Sequence, residues 1–176
     1  MAAPPRLPPI AALPTLPTEQ RAAVLDTLFE PSAQLHTLSL PLLHDQAFPS
    51  YPDLIAAIGV QLTSLAASAS SSDTTWLESI LGSHPRLGAP KVDSAQSAGE
   101  QAQLQGGEGE KLRELNELYE QTFPGLRYVV FVNGRSREVI MEEMRGRIRE
   151  GTLRGEREAA IRAMCEIAAD RAAKLS

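Results

Sequence analysis

The residues of this chain best equipped for chemistry are His84 and Glu100. His84 stands in Leu81-Gly82-Ser83-His84-Pro85-Arg86-Leu87-Gly88, and Glu100 in Ser97-Ala98-Gly99-Glu100-Gln101. An imidazole titrating near neutral pH and a carboxylate form an acid–base pair that can work without a metal or cofactor. His84 lies three residues after Leu81 and four after Ile80, so it prolongs the apolar stripe of the preceding helix. At a helix C-terminus the macrodipole favours imidazolium, which suits a proton donor. The same position also fits a half-buried histidine that merely closes a helix.

Ser97 and Glu100 carry two readings. The spacing Ser97-x-x-Glu100 is that of a capping box, in which both side chains tie up orphan backbone N–H groups. Alternatively, the helix N-terminus offers N–H donors to an anionic or carbonyl group, with Glu100 and Gln101 meeting a ligand's polar edges. Arg171 falls on the apolar stripe of Ile161, Met164, Ala168 and Leu175, and positions 167, 168, 174 and 175 supply no acid. A guanidinium there needs an anion from elsewhere in the fold or from a ligand, unless it snorkels to solvent. Arg154, Arg157 and Arg162 read instead as a solvated charged face.

These groups must be positioned by helices. Pro4, Pro5, Pro8, Pro9, Pro14 and Pro17 make residues 1–17 a proline-rich leader, expected to lie over the surface without regular helix. Residues 18–176 form the predicted domain. Thr18 is placed as an N-cap for a helix to about Leu28, followed by a short helix near 32–39. Leu54, Ile55, Ile58, Leu62 and Leu65 give a helical period over about 52–68. Residues 66–72 are a small-residue loop, and Asp73 is placed as the cap of the helix carrying Trp76, Leu77, Ile80 and Leu81. Pro85 must end that helix at or before His84. Gly106-Gly107-Glu108-Gly109 marks a break before a helix bearing Leu112, Leu115, Leu118 and Tyr119. Tyr128, Val129, Val130, Phe131 and Val132 form an extended run closed by the turn residues Asn133-Gly134. That run either packs as a buried segment or lends backbone groups to a ligand. Ser136 caps a helix to about Arg149, and 152–175 reads as a long final helix. The predicted class is all-α: one helical bundle of about seven to nine helices with a short extended segment near 127–132.

Composition excludes several functions. The 176 residues are 43% hydrophobic, enough for one domain with a core, and the net charge of −5 argues against nucleic acid. A single cysteine rules out an internal disulfide framework. Cys165 lies mid-helix without a neighbouring histidine and reads as a core residue. His36, His44 and His84 match no zinc spacing, and the glycines at 106–109 lack the Lys-Ser/Thr of a phosphate loop, so no metal site and no cofactor are expected. No apolar run is long enough to span a membrane and no signal peptide is legible, so an intracellular protein is expected.

Taken together, the motifs resemble the OHCU decarboxylase family (2-oxo-4-hydroxy-4-carboxy-5-ureidoimidazoline decarboxylases of urate breakdown). The resemblance runs from Leu28-Phe29-Glu30-Pro31-Ser32 through His84-Pro85-Arg86-Leu87-Gly88, Ser97-x-x-Glu100-Gln101 and Asn116-x-x-Tyr119-x-x-x-Phe123. It continues through Asn133-Gly134-Arg135 to Ile167-Ala168-x-x-Arg171. It implies a homodimeric, cofactor-independent lyase that converts its small-molecule substrate to (S)-allantoin and carbon dioxide. By motif match, His84 is the proton donor and Glu100 its catalytic partner. Substrate contacts fall on Pro85, Ser97, Gln101, Tyr128, Val129, Val130, Phe131, Val132 and Arg171. Three features depart from the family pattern: Phe123-Pro124-Gly125 replaces Phe-Gly, Tyr128 stands where phenylalanine is usual, and a glycine-rich loop at 105–109 replaces a smoother helical connection. The ending Lys174-Leu175-Ser176 is not the Ser-Lys-Leu peroxisomal signal, which leaves cytoplasm or peroxisome. Two other readings remain at this stage: a non-catalytic helical interaction protein, and a lyase for a related ureido or imidazoline compound.

Overall fold

A computed structural model describes residues 5–89, 94–102 and 109–176. Among them are a 3-10 helix, Ile10–Thr15, and eight α-helices with no strand. The α-helices are α1 (Thr18–Phe29), α2 (Ala33–Asp45), α3 (Tyr51–Ala67), α4 (Ser71–Leu81), α5 (Ala95–Glu100), α6 (Gly109–Thr122), α7 (Arg137–Glu150) and α8 (Leu153–Leu175). The all-α class is as the sequence predicts. Of the glycine-rich break, only Gly109 falls within the described residues, where it opens α6.

Helix α8 is the axis of the fold, packed against α1, α3 and α4. Its buried side chains include Ala160, Ala163, Ala168 and Ala172, small enough to let neighbouring helices approach closely. Gly59 of α3 shows how closely: a Cβ there would sit 3.2 Å from the Cys165 sulfur. Around α8 the core is built from Leu25, Leu28, Leu54, Ile58, Leu62 and Leu77, all fully buried. The periodic apolar positions of α3 and α4 thus point where their spacing requires.

The structure differs from the sequence reading at several boundaries, each for a local reason. Thr18 is the first residue of α1 and not its cap; Pro17 precedes it, and the Thr18 hydroxyl accepts a hydrogen bond from Arg21 at 3.3 Å. Helix α2 continues six residues past the expected end, through Pro41 to Asp45. The buried Leu43, with Leu40 and Leu42 packed on the core, offsets the hydrogen bond that proline removes. Asp73 does not cap α4 but accepts from the Ser68 hydroxyl at 2.5 Å. Part of the leader is held in the core: Leu13 is buried, and the Leu7 N–H donates to the Leu175 carbonyl at 2.8 Å. The fixed φ of proline matches a 3-10 turn, so Pro14 sits within one without strain.

Candidate active site

Four chain segments meet at one cavity of about 240 Å³. They are the turn after α4, helix α5, the extended run 128–134 and the last turns of α8. That volume lies below the roughly 300–1,000 Å³ of pockets for drug-sized ligands. It fits a single small ring.

The turn after α4 is held from three sides. Helix α4 ends at Leu81, as Pro85 requires, and Arg127 donates to the carbonyls of Gly82 (2.9 Å) and His84 (2.7 Å). Asn116 of α6 donates to the Leu87 carbonyl at 3.0 Å, and the Gly88 N–H donates to the Gln101 side chain at 2.9 Å. Gly88 has φ 69, a left-handed conformation that costs glycine little. Through these contacts, distant residues fix the His84 backbone, and His84 and Pro85 both line the cavity.

His84 is buried, and among the described residues its Nε2 has no hydrogen-bond partner. Burial depresses its pKa from 6.5 to about 4, helped by the Arg171 and Arg127 cations and opposed by the Glu30 carboxylate. The imidazole is therefore neutral at physiological pH. This corrects the imidazolium expected from the helix dipole, because desolvation outweighs a half-charge at a helix end.

Helix α5 also differs from the capping-box reading. Its cap is Ser94, whose hydroxyl accepts from the Ser97 N–H at 3.3 Å, so Ser97 and Glu100 lie inside the helix. Glu100 is its last residue and not part of a first turn. The Ser97 hydroxyl donates to the Glu30 carboxylate and accepts from Arg171 at 3.0 Å. Ser97, Glu100 and Gln101 all line the cavity.

Arg171 does not line it. Its Nε donates to one Glu100 oxygen at 2.7 Å and its Nη2 to the other at 3.0 Å, a two-pronged pair. Nη2 also donates to Glu30 at 2.7 Å, and Nη1 to the Thr27 carbonyl at 3.1 Å. The anion that sequence demanded of this arginine comes from the fold. Burial works against its charge, but the Glu100 and Glu30 carboxylates leave its pKa raised. Glu30, between α1 and α2, is 3% exposed at φ 72 and ψ 152. A non-glycine residue there carries about 1–3 kcal/mol of strain.

The extended run supplies the facing wall. Tyr128, Val129, Val130, Phe131 and Val132 all line the cavity, although the Tyr128 ring is largely committed elsewhere. It packs edge-on against Tyr119 at 5.2 Å, with the Arg147 guanidinium over it at 4.6 Å. Arg147 is itself paired with Glu156 at 2.5 Å, and Glu156 accepts from the Tyr119 hydroxyl at 2.7 Å. Among the described residues, no backbone N–H of residues 129–132 donates to a protein acceptor, although Val129, Val130 and Val132 are buried. Such a row of unclaimed donors is unusual in a protein interior. The run ends in the Asn133-Gly134 turn, with φ 47 and 70, as its sequence predicts.

Sequence reasoning missed Glu30, Arg127, Asp170 and Lys174. The last two follow from helical spacing once α8 is known, since Ile167, Asp170 and Lys174 share the face that meets the cavity. Among the described residues, no group of His, Cys, Asp and Glu could hold a metal ion, and no helix is long and apolar enough to cross a membrane.

This geometry defines an all-helical protein whose cavity joins a neutral histidine to a carboxylate held by a buried arginine. The chain belongs to the OHCU decarboxylase family, whose model matches residues 14–173. No curated protein matches it.

Proposed function

We propose that this protein decarboxylates 2-oxo-4-hydroxy-4-carboxy-5-ureidoimidazoline to (S)-allantoin and carbon dioxide, using its own side chains alone. The observation that carries the reading is the His84 Nε2, buried and unpartnered in a cavity also lined by Glu100 and Gln101, within the matched family span.

The substrate is its own electron sink. Its C4 bears the hydroxyl and the carboxylate, and the neighbouring C5 is doubly bonded to a ring nitrogen. When the C4–carboxylate bond breaks, its electron pair forms C4=C5 and the imine pair moves onto the ring nitrogen and its conjugated carbonyl oxygen. Unclaimed N–H groups of residues 129–131 would stabilise that developing charge. Neutral His84 then takes the C4 hydroxyl proton through Nε2 and returns it to C5, on one face. This creates the ring carbonyl and the stereocentre together. A second proton, from water, neutralises the ring nitrogen, so the reaction consumes one proton for each carboxylate lost. His84 is thus first a base and only then a donor.

Glu100 and Gln101 would accept and donate at the ureido and ring N–H edges, Glu100 through lone pairs that Arg171 leaves free. Ser97 would keep Glu100 and Glu30 in register. Arg171 would be a positioning residue acting through Glu100, not a direct clamp on the substrate. A homodimer follows from the resemblance and is measurable by light scattering.

The test generates the labile substrate from urate with urate oxidase and hydroxyisourate hydrolase and follows circular dichroism after this protein is added. Rapid appearance of a single allantoin enantiomer is expected, with His84→Asn slower by about 10²–10⁴-fold. Racemic product at the spontaneous rate would overturn the reading.

A further inference from the structure

The substrate of this reaction is an anion, yet the buried guanidinium that grips the cavity's Glu100 is already occupied. Arg171 gives Nε and Nη2 to Glu100, Glu30 and Ser97, and Nη1 to Thr27. With Glu30, Glu100 and Asp170 on one side and Arg171 and Lys174 on the other, the cluster carries one more negative than positive charge. Arg127 adds a cation on the His84 side but is committed to the Gly82 and His84 carbonyls, so a carboxylate entering beside Glu100 needs a cation that can turn toward it.

Lys174 is built for that. It lies one turn beyond Asp170 and two beyond Ile167 on the α8 face that meets the cavity, and among the described residues it is the one lysine or arginine lining it. Among the described residues its one carboxylate partner is Asp170, 2.6 Å away, which leaves two of the ammonium's three donors unclaimed there. The Lys174 side chain is 67% exposed and Asp170 25%. A flexible, solvated ammonium can exchange one carboxylate for another at little cost. The buried Arg171 cannot.

We propose that Lys174 receives the substrate carboxylate at the cavity mouth, exchanging it for Asp170, and so selects carboxylated ring ureides over neutral ones. This rests on the decarboxylase reading above. The exchange has a kinetic signature. A cation paired with the carboxylate holds the ground state and loses its grip as neutral carbon dioxide forms. Lys174 therefore serves capture, not bond cleavage.

The test pairs kinetics with binding. Lys174→Ala should raise KM about fivefold at low salt, the worth of one exposed charge pair, without lowering kcat. The difference should vanish near 1 M salt, where the screening length is about 3 Å. Lys174→Arg should restore KM, and Asp170→Asn should lower it by removing the competing carboxylate. Independently of turnover, calorimetry with hydantoin-5-acetate and with neutral allantoin should show Lys174→Ala weakening only the former. An unchanged KM, a fall in kcat, or equal weakening of both ligands would overturn the proposal. So would failure of the wild type to bind the anion. If the wild type shows no turnover yet binds the anion through Lys174, the decarboxylase reading fails and the anion site stands.

Discussion

Burial of His84 makes a quantitative prediction, because its pKa lies near 4 in the folded chain and near 6.5 when unfolded. Above pH 6.5 both states hold a neutral ring, and the residue contributes nothing to the pH dependence of stability. Below 6.5 the unfolded chain takes up the proton first, so the unfolded state gains and stability falls with pH. The loss accumulates until pH passes the folded value, below which both states are protonated. A one-proton difference is worth about 1.4 kcal/mol per pH unit, so the window from 6.5 to about 4 amounts to about 3 kcal/mol. Carboxylates titrate there too, so the signal is the difference between wild type and His84→Asn. Urea unfolding followed by Trp76 fluorescence should show that difference shifting by about 3 kcal/mol between pH 7 and pH 4. The His84 ring resonances should have a midpoint near 4, and kcat/KM should lack a His84 limb between pH 6 and 8. A flat stability difference, or a ring midpoint near 6.5, would refute the neutral-base assignment and restore the imidazolium donor.

Three further substitutions test the surroundings. Arg171→Ala strands the buried Glu30 carboxylate and should cost about 3–5 kcal/mol in chemical denaturation, whereas a change in KM without loss of stability would return Arg171 to direct substrate contact. Glu100→Gln keeps the shape but loses the charge-assisted contacts, so turnover should fall about 10–100-fold; undiminished circular-dichroism rates would remove Glu100 from the site. Tyr119→Phe deletes a hydrogen bond to the buried Glu156 and should lower stability by about 1–2 kcal/mol while activity measured at saturating substrate persists.

How much of this was legible in the chain depended on whether the cause was local. The helical period of α3 and α4, the stop imposed by Pro85 and the Asn133-Gly134 turn are decided within a few residues, and the structure places them as read. Ser97 illustrates the limit. Ser94 and Ser97 both stand three residues before a polar position, and only the packing of α5 against Glu30 and Arg171 decides which serine caps. Arg171 signalled that it lacked a neighbouring acid, but not that Glu30, 141 residues away, would supply one. His84 was correctly placed on a buried stripe, yet its protonation state depends on desolvation and on Arg171 and Arg127, which no local pattern encodes.

These nonlocal contacts share one electrostatic logic. A buried ion cluster is rarely a net source of stability, since desolvating each charge costs several kcal/mol. Glu30 adds backbone strain to that cost. An apolar replacement of the Glu30–Arg171 pair would relieve both, but it would also free Glu100 from its two-pronged hold and remove the strongest charges acting on His84. Burial sets the imidazole neutral, the Arg171 cation adds to that push and Glu30 limits it, so the pair orients Glu100 and trims a protonation state that desolvation decides. On the proposed mechanism, stability given up at this cluster would appear as preorganisation at the cavity, where a neutral ring with an open Nε2 could take a hydroxyl proton without first losing one of its own.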